Sequence, residues 1–456
     1  MLLKGTGRLE GRTDSVCDSL PSRPRPLEVL SPGLMPPSSE GTPGSVEFAL
    51  FELCGSSVQK GRRVSGRRNS ALPAAGSDER ELLDRRTFLR AAAIPCLLAC
   101  GGAPPAAAAP ALSSPEDDSR FIVEAKFYEK LAYKKIKCKL CPRECVIDDR
   151  ERGYCGVREN RGGTYYTLVH SRVVTAHIDP IEKKPLFHFH PGTVAFSLAT
   201  AGCNVNCKMC QNWEISQVRP EQVRSTYLPP RDVAAVAQQN HCPSIAYTYS
   251  EPVIFYEYVM DAAEAGHAAG IKSVVITGGY IQQDPLKKMC QGVDAIKVDL
   301  KAFSPKFYKE VVKGELKPIL DTLVRIRKEG RWSEIVYLVI PTLNDSDAEF
   351  RDLARWVKSE LGLDVPVHFT RFHPEYLLNN LPPTPVETLE RAKAIADAEG
   401  LHFVYIGNVP GHPAENTSCP KCQRVVVQRL GFTIEQMHIR TGKCEFCQQV
   451  IPGVWT

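Results

Sequence analysis

The chain lacks a membrane-spanning run: its apolar stretch Ala91–Leu98 is far shorter than the roughly 20 residues a spanning helix needs. It also lacks a large charge of one sign. Lys and Arg number 57 against 52 Asp and Glu, which leaves +5 over 456 residues. Much of that excess lies in Arg62, Arg63, Arg67, Arg68, Arg85 and Arg86, so no basic face falls on a folded domain and nucleic acid is not an expected partner. Residues 1–80 lack sustained periodicity and are rich in Pro, Gly, Ser and Arg. Such a segment cannot bury enough apolar surface to offset chain entropy, so it is expected to be disordered, or to be sequence upstream of a misassigned start codon. The remainder has the length for one large domain plus smaller modules.

The twin arginine of Arg85-Arg86-Thr87-Phe88-Leu89-Arg90 precedes the short apolar run and reads as a twin-arginine export signal. Leu97-Leu98-Ala99-Cys100-Gly101 resembles a lipoprotein box with Cys100 lipidated, and 102–118 would be the tether. The expected location is therefore periplasmic or lipid-anchored, and cytoplasmic if the arginine pair is a coincidence.

Of 17 cysteines, eleven fall in three sets: Cys138, Cys141, Cys145 and Cys155; Cys203, Cys207 and Cys210; Cys419, Cys422, Cys444 and Cys447. Clustered thiols in an enzyme-sized chain point to metal or iron–sulfur ligation and away from a disulfide framework. Cys17, Cys54, Cys96, Cys242 and Cys290 are isolated and read as buried or incidental thiols.

From residue 194 onward, apolar strand-like runs alternate with helical patterns. Strands are expected at 195–200, 244–249, 273–277, 294–299, 335–340 and 366–371, with a seventh at 403–407. Helices are expected at 230–240, 252–268, 316–329, 346–361 and 385–399, the first opened by Pro230. This alternation implies an α/β fold with a parallel sheet covered by helices, and six or seven units suggest a partial (β/α)6-type barrel. A doubly wound sheet is the alternative. The unusual residues fall at strand ends, where such sheets bind ligands: the cysteine loop, Tyr249–Pro252, Thr277–Tyr280, Asp299–Lys301, Pro341–Asn344 and Phe372–Pro374.

The loop Gly202–Cys210 has the spacing C-x3-C-x2-C. Three thiolates can bind three irons of a [4Fe–4S] cubane and leave the fourth open. An open iron can chelate the amino and carboxylate groups of S-adenosylmethionine, and one electron then breaks its sulfonium S–C5′ bond. Structural zinc fits poorly, since it needs four ligands and only three are local.

With CQNWEISQ (210–217), AYTYSEPVIFYEY (246–258), DAIKVDLKAF (294–303), IPTLNDSD (340–347), HFTRFHPEY (368–376) and YIGNVPGH (405–412), residues from about 130 to 456 resemble the radical S-adenosylmethionine (SAM) superfamily. Within it they look like the AmmeMemoRadiSam system enzymes, relatives of pyruvate-formate-lyase activating enzymes. The resemblance implies that Tyr249, Ser250 and Glu251 contact the amino group of SAM, mostly through backbone oxygens, with Thr277 beside them. It places Asp299 and Lys301 near the ribose and carboxylate, and His373 toward the nucleoside or substrate. It also implies hydrogen abstraction from a substrate, an electron donor of the flavodoxin or ferredoxin type, and a Memo-like or AMMECR-type protein as partner. Met209 and Gly278 depart from the family, which often has an aromatic residue and usually Asn there. No cobalamin-binding segment is visible.

Two CxxC knuckles, Cys419/Cys422 and Cys444/Cys447, lie 21 residues apart around the β-prone 424–432, which suggests a zinc ribbon; a single iron is the rival. Cys138-x2-Cys141-x3-Cys145-x9-Cys155 leaves two readings open: zinc as a staple, which is preferred, or an auxiliary iron–sulfur cluster relaying electrons. His188 and His190 read as ordinary loop histidines, and Asp179–Leu186 matches a family segment without a role its chemistry reveals. The expected order is an extension (1–80), a signal and Ala/Pro linker (81–118), an N-terminal four-cysteine module (119–193), a radical SAM core (194–410) and a ribbon (411–456). The competing reading is an exported electron-transfer or metal-binding protein without SAM chemistry, which would not need the strand-end motifs.

Overall fold

A computed structural model describes residues 117–455. The expected extension, the arginine pair, and Cys17, Cys54, Cys96 and Cys100 lie outside the described residues.

Eight strands form the central sheet: β1 (Thr175–Pro180), β2 (Val194–Ala199), β3 (Ser244–Tyr247), β4 (Lys272–Thr277), β5 (Ala295–Asp299), β6 (Trp332–Val339), β7 (Val367–Arg371) and β8 (Val404–Gly407). They lie in sequence order from β1 to β8, with β2–β8 parallel and β1 antiparallel to β2 at one edge. Strictly sequential order has no switch point, which removes the doubly wound alternative. The sheet stays open between β1 and β8, as a partial barrel does.

Strands β2–β8 lie where Val, Ile and aromatic runs place them, because a parallel sheet buried on both faces needs continuous apolar sequence. The edge strand β1 is different. It runs inside the segment expected to belong to the N-terminal module, and its pattern Thr-Ala-His-Ile-Asp-Pro is mostly solvated. One face of it is open to water, so no apolar run announces it.

Helices cross between strands: α1 (Pro230–Gln239), α2 (Tyr256–Ala268), α3 (Gln283–Gly292), α4 (Leu316–Lys328), α5 (Asp347–Glu360) and α6 (Val386–Ala398). In α4, Leu316, Ile319, Leu323 and Ile326 make the buried stripe, while Arg325, Arg327 and Lys328 sit in the last turn, where the helix dipole favours cations. Ser346 caps α5 by accepting from the Glu349 amide at 3.3 Å.

Short antiparallel strands between Val123 and Thr167 build two small sheets before the core, and Thr417–Met437 forms a three-stranded ribbon after it. The ribbon is tied to the core by Arg429, which is buried and donates to Phe187 O at 2.9 Å. Among the described residues no helix is long and apolar enough to cross a membrane.

Candidate active site

The loop after β2 carries Cys203, Cys207 and Cys210. Gly202 opens it at φ +99°, a conformation that favours glycine. Amides of the loop are held by the turn Tyr308–Val312: Asn206 N–H donates to Val312 O at 3.2 Å and Lys208 N–H to Val311 O at 3.0 Å. From the other side, Leu377 N–H donates to Lys208 O at 2.9 Å. Two segments thus fix the loop.

Burial pushes all three thiols up, Cys207 to about 12. Glu251 adds to that rise at Cys203 and Cys207, while Lys301 opposes it at Cys207. Buried thiols in this state release their protons when a bound cation replaces it, since coordination deprotonates a thiol outright. Met209 is buried between the second and third cysteines.

Glu251, past the end of β3, is 3% exposed and accepts three bonds: Thr277 Oγ1–H at 2.5 Å, Gly278 N–H at 2.8 Å and Val253 N–H at 3.1 Å. Burial raises its pKa against these bonds. The bond from Gly278 is a backbone one, so it does not require the Asn that the family usually has at this position. Ser250 Oγ donates to Thr200 O at 2.7 Å, and Tyr249, at φ +61°, accepts Asn212 Nδ2–H at 2.9 Å through its carbonyl.

At the end of β5, Asp299 lies between two ammonium groups, Lys297 and Lys301, the latter at 2.9 Å. Burial alone would raise Asp299; the two lysines hold it at about 2. Asp299 in turn overcomes the burial penalty at Lys301 and raises it. The motif residue Asn344 pins this strand end, donating from Nδ2 to Lys301 O at 2.9 Å.

Cys203, Cys207, Glu251, Asp299 and Lys301 therefore act on one another electrostatically, and Thr277 joins through Glu251. His373 does not join this cluster; it is exposed beyond β7. Sequence reasoning missed Asp179 and Lys184. Asp179 accepts from Lys183 at 2.7 Å, from Lys184 and from the Tyr249 hydroxyl, while Lys184 lies 4.5 Å from the Tyr249 ring centroid. The motif that had no assignable role thus buttresses the Tyr249–Glu251 segment from the edge strand. A cavity of about 950 Å³ reaches Cys203, Asn206 and Gln217, on the flank of the cluster and not over Glu251 or Asp299.

The C-terminal thiols form a separate centre. Cys419 Sγ lies 3.6 Å from Cys447 Sγ and Cys422 Sγ 3.8 Å from Cys444 Sγ, and all four lie within 4.8 Å of one another. The Arg424 amide lowers Cys422 to about 7, toward the thiolate a metal takes. His188 is buried and bonded to Pro452 O and the Tyr405 hydroxyl, each at 2.6 Å. Cys242 and Cys290 are buried.

The sequence profile of the radical SAM superfamily matches residues 197–356. An uncharacterized protein of Methanocaldococcus jannaschii is 44% identical over 330 residues, covering 72% of this chain and 98% of that protein. Pyruvate formate-lyase 1-activating enzyme of Escherichia coli is 25% identical over 235 residues, 47% of this chain and 93% of that enzyme. Among solved structures, a radical SAM methyltransferase from Sphaerobacter thermophilus aligns over 48% of this chain and 67% of its own at 20% identity, with a TM-score of 0.38.

Proposed function

Because this chain belongs to the radical SAM superfamily and is an enzyme of that class, we propose that Cys203, Cys207 and Cys210 hold the [4Fe–4S] cluster the family implies. The residues fit it: three thiols share one loop, Cys207 buried and Cys203 and Cys210 half-buried, so each can give a thiolate to a separate iron. When bound and reduced, the cluster supplies the electron that splits SAM into methionine and a 5′-deoxyadenosyl radical.

The chain's own groups do the positioning. Lys301 presents a fixed ammonium to the methionine carboxylate, and Asp299, kept ionised by its two lysines, holds that ammonium in place. Glu251 is satisfied by Thr277, Gly278 and Val253, so it acts by fixing the backbone of 249–251, whose carbonyls face the amino group. Buried strand ends keep water from the radical. The observation that carries this reading is the convergence of the three thiols with Glu251, Asp299 and Lys301 at the ends of β2, β3 and β5.

Similarity to an enzyme whose name describes activation of pyruvate formate-lyase supports hydrogen abstraction from a partner protein. The partner in this reading is a Memo-like or AMMECR-type protein, with a flavodoxin or ferredoxin as electron donor. Zinc at Cys419, Cys422, Cys444 and Cys447, and export through Arg85 and Arg86, complete the proposal. Anaerobic reconstitution followed by reduction with SAM tests its centre. Wild type is expected to form 5′-deoxyadenosine and Cys207→Ala none; equal yields from both would overturn it. Export fails if Arg85→Lys with Arg86→Lys leaves fractionation unchanged.

A further inference from the structure

The N-terminal cysteines face one another without meeting as ligands of a single ion. Cys138, Cys141, Cys145 and Cys155 line one small cavity. A tetrahedral zinc with bonds of about 2.3 Å holds its sulfurs about 3.8 Å apart. The C-terminal set meets that geometry at 3.6 and 3.8 Å. Among the described residues no other group of three or more Cys, His, Asp or Glu ligand atoms lies within 4.8 Å of one another. The four N-terminal sulfurs are therefore not gathered as the C-terminal set is, and neither are those of the Cys203 loop. A cubane gives each thiolate its own iron and so spreads its ligands.

The spacing agrees. Cys138-x2-Cys141-x3-Cys145 runs through the intervals of Cys203-x3-Cys207-x2-Cys210 in reverse, and Cys155 adds the fourth thiol that the later loop lacks. The two sets are also neighbours. A Cβ on Gly202 would stand 2.9 Å from Cys155 O and 2.6 Å from Val157 Cγ1, so the backbones beside Cys155 and Cys203 are in contact. Arg143, two residues after Cys141, donates from Nε to Asn204 O at 2.6 Å and from Nη2 to Lys313 O. Asn204 itself lines the small cavity. Cys155 and Cys203 share the walls of the cavity of about 950 Å³.

We propose that Cys138, Cys141, Cys145 and Cys155 hold a second, fully ligated [4Fe–4S] cluster that passes one electron to the cluster at Cys203, Cys207 and Cys210. The transfer rests on the function proposed above; the second cluster itself does not. A low-potential one-electron donor of the ferredoxin or flavodoxin class reduces the second cluster from 2+ to 1+. That cluster returns to 2+ as the first becomes 1+, and no bond in the protein breaks.

Iron, acid-labile sulfide and zinc are counted in the full chain after anaerobic reconstitution. Wild type is expected to hold about eight sulfides and the triple variant Cys203→Ala/Cys207→Ala/Cys210→Ala about four. The triple variant should give, on reduction, a [4Fe–4S]+ electron paramagnetic resonance signal that SAM does not change. A triple variant with no sulfide and about two zinc per chain overturns the proposal. Should that variant fail to fold, wild type decides: two signals, one altered by SAM, support the second cluster, and about four sulfides overturn it. For the transfer, Cys155→Ser is expected to slow reduction of the first cluster by flavodoxin at least tenfold, and an unchanged rate overturns the relay. Formation of 5′-deoxyadenosine by the triple variant would instead sink the functional reading alone.

Discussion

The amide of Gly278 donates to Glu251 Oε2 at 2.8 Å, so a backbone group at the end of β4 fixes the side chain that ends β3. Thr277 and Val253 complete the set of donors around a carboxylate that is 3% exposed. Glu251→Gln turns one acceptor oxygen into an amide NH2, a donor facing these donors. Leaving a buried donor unmatched costs about 1–3 kcal/mol. We expect a lower thermal midpoint and at least a tenfold loss of 5′-deoxyadenosine formation, read by chromatography with cluster content held equal. Undiminished turnover would show that Glu251 fixes nothing the reaction uses.

A second prediction concerns the edge strand. Lys184 is buried, and burial lowers it to about 8 while Asp179 pulls it back up. Asp179→Asn strands that ammonium, and removing one member of a buried pair costs about 3–5 kcal/mol. The sign with pH follows: a lysine whose folded pKa is depressed gains stability as it deprotonates. Without Asp179 the lysine deprotonates at a lower pH than in wild type, so the deficit of Asp179→Asn should shrink as pH rises toward 8, and adding Lys184→Met should recover most of it at pH 7. Denaturant titrations of the single and double variants at both pH values check this.

These two relationships mark where sequence stopped being informative. Parallel strands β2–β8 are buried on both faces, so each shows as an apolar run, and cysteine ligands lie a few residues apart, so their spacing shows directly. Tyr249 and Asp179 are 70 positions apart, on strands whose pairing only folding reveals. The strand that carries Asp179 is a solvated edge with Asp and Pro in it, the composition that edges use to avoid pairing. His373 is a different case: its motif was legible, and it is exposed just beyond the end of β7.

The C-terminal ribbon should depend on its ion. Its strands bury only a small core, in which Cys419, Cys444, Val426, Val427 and Ile439 take part, and metal binding in such modules is folding free energy. Removing the ion with a chelator, or making Cys444→Ser, is expected to expose Trp455, whose indole donates to Ile451 O at 2.7 Å. Tryptophan fluorescence should shift to longer wavelength, with one zinc released per chain. No spectral change on complete zinc release would mean that the ribbon stands without it.

Acid should weaken the seam between ribbon and core through His188. Burial lowers this histidine from 6.5 to about 4. Pro452 O can only accept, so Nδ1 carries the proton and Nε2 accepts from the Tyr405 hydroxyl. A second proton on Nε2 would set two donors against each other. A histidine held neutral contributes stability that is full above pH 6.5 and is lost as pH falls toward 4, because the unfolded chain takes the proton first. At pH 5 that loss is about 2 kcal/mol relative to pH 7.5. His368 and Glu334 are bonded to each other at 2.8 Å, and burial lowers His368 as well, so it adds to the same trend. A metal held by the ribbon thiols would also be released in acid, so the comparison must be between proteins: His188→Gln should be less stable than wild type at pH 7.5, with the gap narrowing by pH 5. A gap that stays constant between the two pH values would place the acid sensitivity elsewhere.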